Sequence, residues 1–212
     1  MLDDPIDIKG LTSIVIMDAS IFAKFIQNLH EYTEESENVK LFDSKFKSLK
    51  TLEVMIITDI LNHDINSSSI LKIIHEDLNR QISESPETKS EIEQALGRVL
   101  SLLHKEILDF EIDLGSEEVT LLDIMKLIKL KVEVVGNSIF ERVFDIMQLF
   151  KYLTKQRLLV FINLTTYLST DELKSLEEYA ELQNIPVLLV ERHPLEGSKK
   201  QTIIDEDFVV FS

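Results

Sequence analysis

Apolar residues occur in short continuous runs at four places in this chain, and each run is typical of a strand buried on both faces of a sheet. The runs are Ile14 to Met17 within the segment Leu11 to Asp18, Val54 to Thr58, Leu158 to Leu164 and Ile185 to Glu191. Segments with the apolar spacing of helices separate these runs. Because a strand, a crossover helix and a second strand in this order form a right-handed parallel unit, the pattern predicts an α/β layer with helices on both faces of the sheet.

Three helices are predicted beside these strands, at Ile21 to Tyr32, Ser138 to Thr154 and Thr170 to Asn184. The last two begin with a capping box, in which a serine is followed three residues later by a glutamate. The pairs are Ser138 with Glu141 and Ser169 with Glu172. Each side chain in such a pair accepts a hydrogen bond from a backbone amide at the helix start, so the pairs mark where these helices begin.

Between the second and third apolar runs the spacing becomes that of packed helices. One helix begins near Asn66 to Ser69 and carries Ile70, Ile73, Ile74, Leu78 and Ile82, and a second begins at Pro86 and carries Ile92, Leu96, Val99, Leu100, Leu103 and Ile107. A third is predicted at Leu121 to Leu130, opened by Thr120 with Asp123. We therefore predict a helical subdomain of residues 64–130, inserted into an α/β domain formed by residues 1–63 and 131–212.

The length and composition of the chain are those of one large domain, or of one domain with a subdomain. It has no cysteine, which excludes disulfides and thiolate metal sites. Met1 to Pro5 lacks the basic and apolar regions of a signal peptide, and no apolar run approaches the roughly 20 residues of a membrane span. We therefore expect a soluble, cytoplasmic protein.

The passage from the first strand into the first helix is where a nucleotide-binding α/β protein carries its phosphate loop. Such a loop needs consecutive backbone amides, glycine and a lysine, as in GxxxxGK[ST]. Here Asp18 stands at the turn, Gly10 precedes the strand, and Lys24 is more simply interpreted as a solvated lysine on the helix face. Asn163 and Thr165 follow the later strand in place of magnesium-binding acids. The pattern predicts a parallel sheet with a nucleotide-binding ancestor but without a working nucleotide site.

Acidic residues crowd around one glycine turn between Glu111 and Asp123. A hard cation such as calcium takes several carboxylate and carbonyl oxygens from a flexible loop, and the candidate ligands here are Asp113, Glu117, Glu118 and Asp123. The stretch lacks the alternation of acidic positions that defines an EF-hand. The alternative interpretation is a solvated turn whose carboxylates cap the next helix and interact with its dipole.

The net charge of −16, which argues against indiscriminate binding to nucleic acid, is unevenly distributed. Residues 76–118 contain twelve acidic and four basic residues, whereas residues 126–157 contain seven basic and three acidic ones. Together with Lys45, Lys47 and Lys50, these cations are candidates for one surface that binds a phosphate backbone. Ordinary surface lysine is the alternative, because no aromatic platform for single strands and no recognition helix for base readout is evident.

Five segments, taken in order along nearly the whole chain, resemble the ring-forming adaptation protein of type II-A CRISPR systems. They are Leu41 to Lys47, Thr58 to Leu61, Asp64 to Lys72, Phe150 to Lys155 with the strand that follows, and Ile204 to Phe208. None of them is a catalytic signature. The resemblance implies a fold similar to that of P-loop ATPases without the phosphate loop. It also implies that the chain is an accessory subunit needed for the acquisition of new spacers, and not an enzyme.

The same resemblance implies a homotetrameric ring that binds calcium and accommodates double-stranded DNA ends in a lysine-lined central hole. The residues that it implies for contacts to the DNA backbone are Lys45, Lys47, Lys50, Lys126, Lys131, Lys151, Lys155 and Arg157. Gln156 interrupts what is a lysine-rich run in relatives, so that cluster is expected to be weaker here. For calcium the resemblance implies the stretch from Asp113 to Asp123, whose ions would clamp the insertion and hold the shape of the ring.

The predicted function is non-catalytic, sequence-independent binding of double-stranded DNA ends, with the attraction to phosphates summed over four subunits. A closed ring admits linear duplex through an end, so circular DNA is expected to be a poor ligand. The implied partners are the spacer integrase complex and the RNA-guided effector nuclease of the same locus. Two alternatives stay open: a protein-interaction scaffold of the adaptation complex with no direct DNA role, and a residual nucleotide-binding protein.

Overall fold

The computed structural model describes residues 5–108, 112, 115, 117–133, 136, 138–153, 156–195, 200–207 and 209–211 of the 212-residue chain. The chain divides into two compact units, one formed by Met1–Asp64 with Glu133–Ser212 and the other by Ile65–Val132. The predicted boundaries lie one and two residues earlier in the chain. The first unit is an α/β domain and the second is helical.

The sheet of the α/β domain has six strands within the described residues. They are β1 (Leu11–Ile16), β2 (Val54–Ile57), β3 (Leu158–Ile162), β4 (Val187–Glu191), β5 (Gln201–Ile204) and β6 (Val210–Phe211), in the order β2-β3-β4-β1-β5-β6. All neighbours are parallel except β5 and β6, which pair antiparallel. The predicted parallel α/β layer is confirmed. β5 and β6 are additional to the prediction, because two of the four residues of β5 are polar and β6 has only two residues.

The helices in the described part of the chain are α1 (Ala19–His30), α2 (Ser68–Ser83), α3 (Pro86–Ile107), α4 (Leu121–Leu127), α5 (Ile139–Tyr152) and α6 (Thr170–Gln183). Short 3-10 turns lie at Thr51–Glu53 and Leu164–Tyr167. Within the described residues, none of the helices combines the length and the apolar character that a membrane span requires.

The start signals predicted for α5 and α6 are confirmed. Ser138 Oγ accepts a hydrogen bond from the Glu141 amide (3.1 Å), and Ser169 Oγ accepts one from the Glu172 amide (3.3 Å). Several helix ends differ from the prediction by one to three residues. α1 begins two residues earlier, because the Asp18 carboxylate caps it. α4 ends three residues earlier, since Lys129 has a left-handed φ of 52° that a right-handed helix cannot contain.

Both faces of the sheet are buried, as the continuous apolar runs predict. On one face, strand side chains pack in a common core with Phe22 and Leu29 of α1. Successive strand residues alternate between the faces, so Val15, Phe161 and Leu189 point to the opposite face, where they are at most 1% exposed. α6, which contacts β1, and its neighbour α5 bury apolar residues on that second face.

The helical unit buries few of its own apolar residues. α2 packs against α3 and α4, and the side-chain amide of Asn66 exchanges two hydrogen bonds with the backbone of Val132, at 2.7 and 3.0 Å. Among the described residues of this unit, the buried hydrophobic ones are Ile65, Ile70 and Met125. The large hydrophobic residues that it exposes are Val99, Leu102, Leu103, Leu108, Ile112, Leu122, Leu127 and Ile128. A three-helix unit of this composition presents an extensive apolar surface.

Candidate functional site

Several of the predicted DNA-contacting residues lie at the amino edge of the sheet, where the parallel strands begin. β2 and β3 start at Val54 and Leu158, which pair with each other. Just before them, the Arg157 amide donates to the Glu53 carbonyl (2.7 Å), and the Lys50 amide donates to the Glu53 carboxylate (2.7 Å). Pairing of these two strands therefore brings Lys50 and Arg157, which are far apart in the sequence, to one edge.

Lys45 and Lys47 lie in a hairpin of residues 42–48 that leads into this edge. The root of the hairpin is fixed by the buried side chain of Tyr32, near the end of α1. Its hydroxyl lies 2.7 Å from the Leu49 carbonyl and 3.3 Å from the Leu41 carbonyl. The hairpin is therefore anchored to the α/β domain on both of its arms.

The tip of this hairpin is organised by Asp43. Its Oδ1 accepts hydrogen bonds from the amides of Lys45 (2.8 Å) and Lys47 (2.9 Å). These two hydrogen bonds stabilise the carboxylate and lower the pKa of Asp43 below its ordinary value. Phe46, between the two lysines, is 79% exposed. The tip thus displays an aromatic ring flanked by two exposed cations, a feature that the search for aromatic interleaving in the sequence missed.

Lys151 joins the same edge from the last turn of α5. Its ammonium group donates to Gln183 Oε1 at the end of α6 (2.7 Å), and both helices end where the next strand begins. Lys155 lies outside the described residues. Gln156 is described, and its Nε2 donates to the Leu52 carbonyl (2.9 Å), so it links the starts of β2 and β3. A neutral side chain therefore occupies this position beside Arg157.

The cations of this edge fall into two sets, those that form ion pairs and those that do not. In the described ranges, Lys45, Lys47, Lys50 and Arg157 make no ion pair. Lys9 and Lys200 are additional cations at this edge, but Lys9 pairs with Asp7 and Lys200 with Glu181. Nothing in the sequence signals that these two lie beside the others, because their position follows from the order of β1 and β5 in the sheet. We call Lys45, Lys47, Lys50 and Arg157 the edge cations.

Lys126 and Lys131 belong to the helical unit. Both are exposed. Lys126 lies 3.5 Å from the Asp123 carboxylate, one helical turn away. An exposed pair of this kind contributes little to stability and leaves the lysine able to exchange its partner for a phosphate.

The described residues among the four predicted calcium ligands do not form a metal site. Asp113 lies outside the described residues, and Glu117 and Glu118 are exposed. Asp123 closes the capping box of α4: its Oδ2 accepts from the Thr120 hydroxyl (2.6 Å) and amide (3.1 Å), which lowers its pKa. No group of three or more acidic or histidine side chains suited to a metal ion occurs among the described residues. The calcium assignment therefore stays a prediction.

At the opposite, carboxyl edge of the sheet, the turn between β1 and α1 lies where a nucleotide-binding protein has its phosphate loop. Asp18 Oδ1 accepts hydrogen bonds from the amides of Ser20 and Ile21, each at 2.9 Å. The first amides of α1, which a bound phosphate would require, are thus already satisfied by a fixed carboxylate. Lys24 is exposed on α1.

The ends of β1, β3 and β4 are tied together at this carboxyl edge by two consecutive residues. Glu191 is 2% exposed, and its carboxylate accepts from the Thr165 amide (3.1 Å) and hydroxyl (2.8 Å). Burial raises the pKa of Glu191, and the hydrogen bonds from Thr165 oppose that rise. Arg192 donates to the Met17 carbonyl (2.8 Å), and its guanidinium lies 5.8 Å from the centre of the Phe22 ring. These contacts link the ends of the strands and engage the Arg192 side chain within the protein.

Comparison with protein families decides the identity of the chain. Residues 31–208 match the model of a family described as CRISPR-associated protein (Cas_Csn2). The chain belongs to the Csn2 family. The predicted resemblance to a type II-A CRISPR adaptation protein is thereby confirmed.

Members of the Csn2 family resemble the chain over nearly its whole length. A CRISPR-associated protein Csn2 of Streptococcus agalactiae is 40% identical over 208 residues, which cover 98% of this chain and 93% of the relative. A protein of the same name from Enterococcus faecalis is 38% identical over 208 residues, covering 98% of this chain and 94% of the relative. Neither name specifies an enzymatic activity.

A solved structure has a similar fold at much lower sequence identity. The crystal structure of Stu0660 of Streptococcus thermophilus superposes on this chain with a TM-score of 0.60 at 14% identity. The match covers 93% of this chain and 70% of the other. At this identity the likeness concerns the fold alone.

Proposed function

We propose that this Csn2-family chain binds the ends of double-stranded DNA, without reading their sequence, as a calcium-stabilised homotetrameric ring that supports spacer acquisition. The observation that carries the proposal is the group of edge cations, which make no ion pair within the described residues of a chain whose net charge is −16. Cations that make no ion pair are available to phosphates of any sequence. The acidic remainder of the surface repels DNA elsewhere.

The tetramer is supported by the apolar surface of the helical unit. Val99, Leu102 and Leu103 of α3 are all exposed, and α3 buries no residue within the chain. Exposed apolar surfaces of this extent mark contacts with other chains. Repetition of the edge cations in four subunits would sum their attraction to one duplex.

Calcium, in this proposal, binds the acidic stretch that precedes α4. Glu117 and Glu118 are exposed and adjacent, so their charges repel each other until a cation neutralises them. The ion would order the stretch between α3 and α4 and thereby hold the helical unit in the form that assembles.

The proposed mechanism contains no catalytic step. We attribute the fold to a degenerate P-loop-NTPase-like sheet with a helical insertion, in which Asp18 takes the place of the phosphate and Arg192 links strand ends. A residual nucleotide-binding function is disfavoured by the same contacts, because two amides at the start of α1 and one terminal nitrogen of this guanidinium already have partners.

The test is equilibrium binding of a linear duplex and of the same sequence covalently closed, each with calcium and with chelator, at two salt concentrations. We expect tight binding of the linear form, weakening with salt and lost together with the tetramer on chelation. Equal binding of both forms would contradict threading through a ring. No binding of either form would favour the alternative, a scaffold of the adaptation complex.

Matched charge reversals test the edge cations directly. K45E combined with K47E is expected to weaken linear duplex binding and to lower its salt dependence, because two phosphate contacts are lost from each subunit. K174E, at an exposed position in α6 away from the amino edge, is the control and is expected to change neither. Partner binding that survives reversal at Lys151 and Lys155, in a protein that binds no DNA, would support the scaffold.

A further inference from the structure

The tip of the hairpin carries a backbone conformation that its sequence does not favour. The Phe46 amide donates to the Asp43 carbonyl (3.0 Å), which closes a turn of residues 43–46, and the Asp43 amide donates to the Lys47 carbonyl (2.9 Å). Phe46, the last residue of this turn, has a φ of 58°. In hairpins of this geometry the left-handed position is usually glycine or asparagine, because a larger side chain is strained there.

Burial does not offset this strain. The Phe46 ring is 79% exposed, so it gains little from the protein interior. The other non-glycine residues with positive φ among the described residues are Asn163, Asn184 and Lys129. Two of these are asparagines, a residue type that tolerates this conformation. An exposed phenylalanine in a strained conformation is the kind of outlier that marks a functional position.

The surrounding hydrogen bonds hold the backbone of the hairpin, and so the Cα–Cβ direction of Phe46, in place before any ligand arrives. Asp43 binds the amides on both sides of Phe46, and Tyr32 binds the carbonyls at the root of the hairpin. A side chain presented on a rigid turn loses less conformational entropy on binding than one on a mobile loop.

The neighbours of the ring indicate the chemistry of its partner. Anchor residues of protein interfaces lie in an apolar patch from which charge is depleted. Phe46 instead lies between Lys45 and Lys47, both exposed and without an ion pair in the part of the chain that the structure describes, next to the exposed Ser44. An aromatic ring between cations is the combination that stacks on a nucleobase while the cations contact adjacent phosphates.

We infer that Phe46 stacks on the exposed base at a DNA end, with Lys45 and Lys47 on the flanking phosphates. This inference rests on the proposed function and deepens it. Within a duplex both faces of each base pair are covered by neighbours, whereas the terminal pair leaves one face open. Stacking by Phe46 thus gives the protein a contact that exists at ends and is absent from closed DNA.

Substitution by glycine tests the inference without threatening the fold. F46G removes the ring and relieves the positive-φ strain, so the unfolding temperature is expected to stay equal or to rise. Its affinity for a linear duplex is expected to fall about tenfold, with the salt dependence unchanged, because stacking involves no counterion release. F46Y and F46W keep an aromatic ring and are expected to retain the wild-type affinity.

A fluorescent base reports the contact itself. 2-Aminopurine at the terminal position of the duplex is expected to change its fluorescence on binding to the wild type and not to F46G, whereas an internal 2-aminopurine responds to neither. L52A is the control for the loss of an exposed apolar side chain, since Leu52 is 78% exposed and has an ordinary backbone conformation. This variant is expected to bind and to respond as the wild type does.

The outcomes separate this inference from the function on which it rests. Wild-type protein that binds no duplex overturns both. Wild-type protein that binds linear duplex, with F46G equal to it in affinity and in 2-aminopurine response, overturns the inference alone. If F46G keeps its DNA binding but changes its oligomeric mass, the Phe46 side chain belongs to a protein contact. That result likewise overturns the inference.

Discussion

Glu191 places an ionisable carboxylate inside the carboxyl end of the sheet. It is the last residue of β4, is 2% exposed, and is bound by both the amide and the hydroxyl of Thr165. Burial disfavours the charged form more than these two hydrogen bonds favour it, so the pKa of Glu191 is raised above its ordinary value of 4.5. Because the unfolded chain keeps the ordinary value, the ionised group destabilises the folded state.

The sign of this effect predicts the pH dependence of stability. Protonated Glu191 stabilises the folded state relative to its ionised form. This stabilisation is fully present below the unfolded pKa and is lost as pH rises through the raised folded pKa. E191Q is neutral at every pH, and its amide retains one hydrogen bond to the Thr165 amide and another to the hydroxyl. We expect E191Q to become more stable relative to the wild type as pH rises above about 4.5. The difference in the free energy of unfolding should reach about 1.4 kcal/mol for each unit by which the pKa is raised.

Urea unfolding of the two proteins between pH 5 and 8 measures this difference. Parallel pH profiles would show that the buried carboxylate titrates at its ordinary value. T166A serves as the control for a change near the same turn.

At the scale of elements, the helices of the α/β domain are defined by their start signals. Ser169 and Glu172 exchange hydrogen bonds at the start of α6, and the hydrogen bonds from Ser169 lower the pKa of Glu172. Both residues lie close together in the sequence, so this signal is legible without tertiary structure. The same holds for Ser138 and Glu141 at the start of α5.

Removal of one cap is expected to destabilise the domain modestly. S169A leaves the Glu172 amide without its side-chain acceptor and should lower the free energy of unfolding by about 1 kcal/mol. Urea unfolding measures the loss, and the pKa of Glu172, followed by NMR, should rise toward its ordinary value. K174A, an exposed substitution within the same helix, is expected to change stability by less than about 0.5 kcal/mol. Equal stability of S169A and K174A would contradict the role of the cap.

At the scale of the whole molecule, the proposed tetramer depends on the apolar face of α3. L102E places a charge on this face at a residue that is 68% exposed, so folding of the chain itself should be little affected. We expect it to dissociate the proposed tetramer and to weaken binding of linear duplex, because phosphate contacts are then no longer summed over subunits. Light scattering measures the mass.

The matched control for L102E is L182E. Leu182 is 76% exposed at the end of α6, in the α/β domain, so this variant carries the same substitution at an equally exposed leucine. It is expected to keep the wild-type mass. A tetramer that survives L102E would place the assembly surface elsewhere, and a wild-type monomer would contradict the tetramer itself.

The sequence by itself determined the strands that form continuous apolar runs, the capped helix starts, and the absence of a phosphate loop after β1. Each of these depends on residues within a few positions of one another, because hydrophobic periodicity and capping are local effects. The resemblance to type II-A adaptation proteins was likewise legible from segments such as Leu41 to Lys47.

Only the tertiary structure decided which of these local features share a surface. Arg157 lies beside Glu53 because β2 pairs with β3, and Lys9 and Lys200 reach the same edge because β5 pairs with β1. A two-residue period places side chains on faces but does not specify which strands are neighbours. The left-handed conformation of Phe46 has the same origin, since hydrogen bonds of the closed hairpin impose a φ that the residue does not prefer on its own.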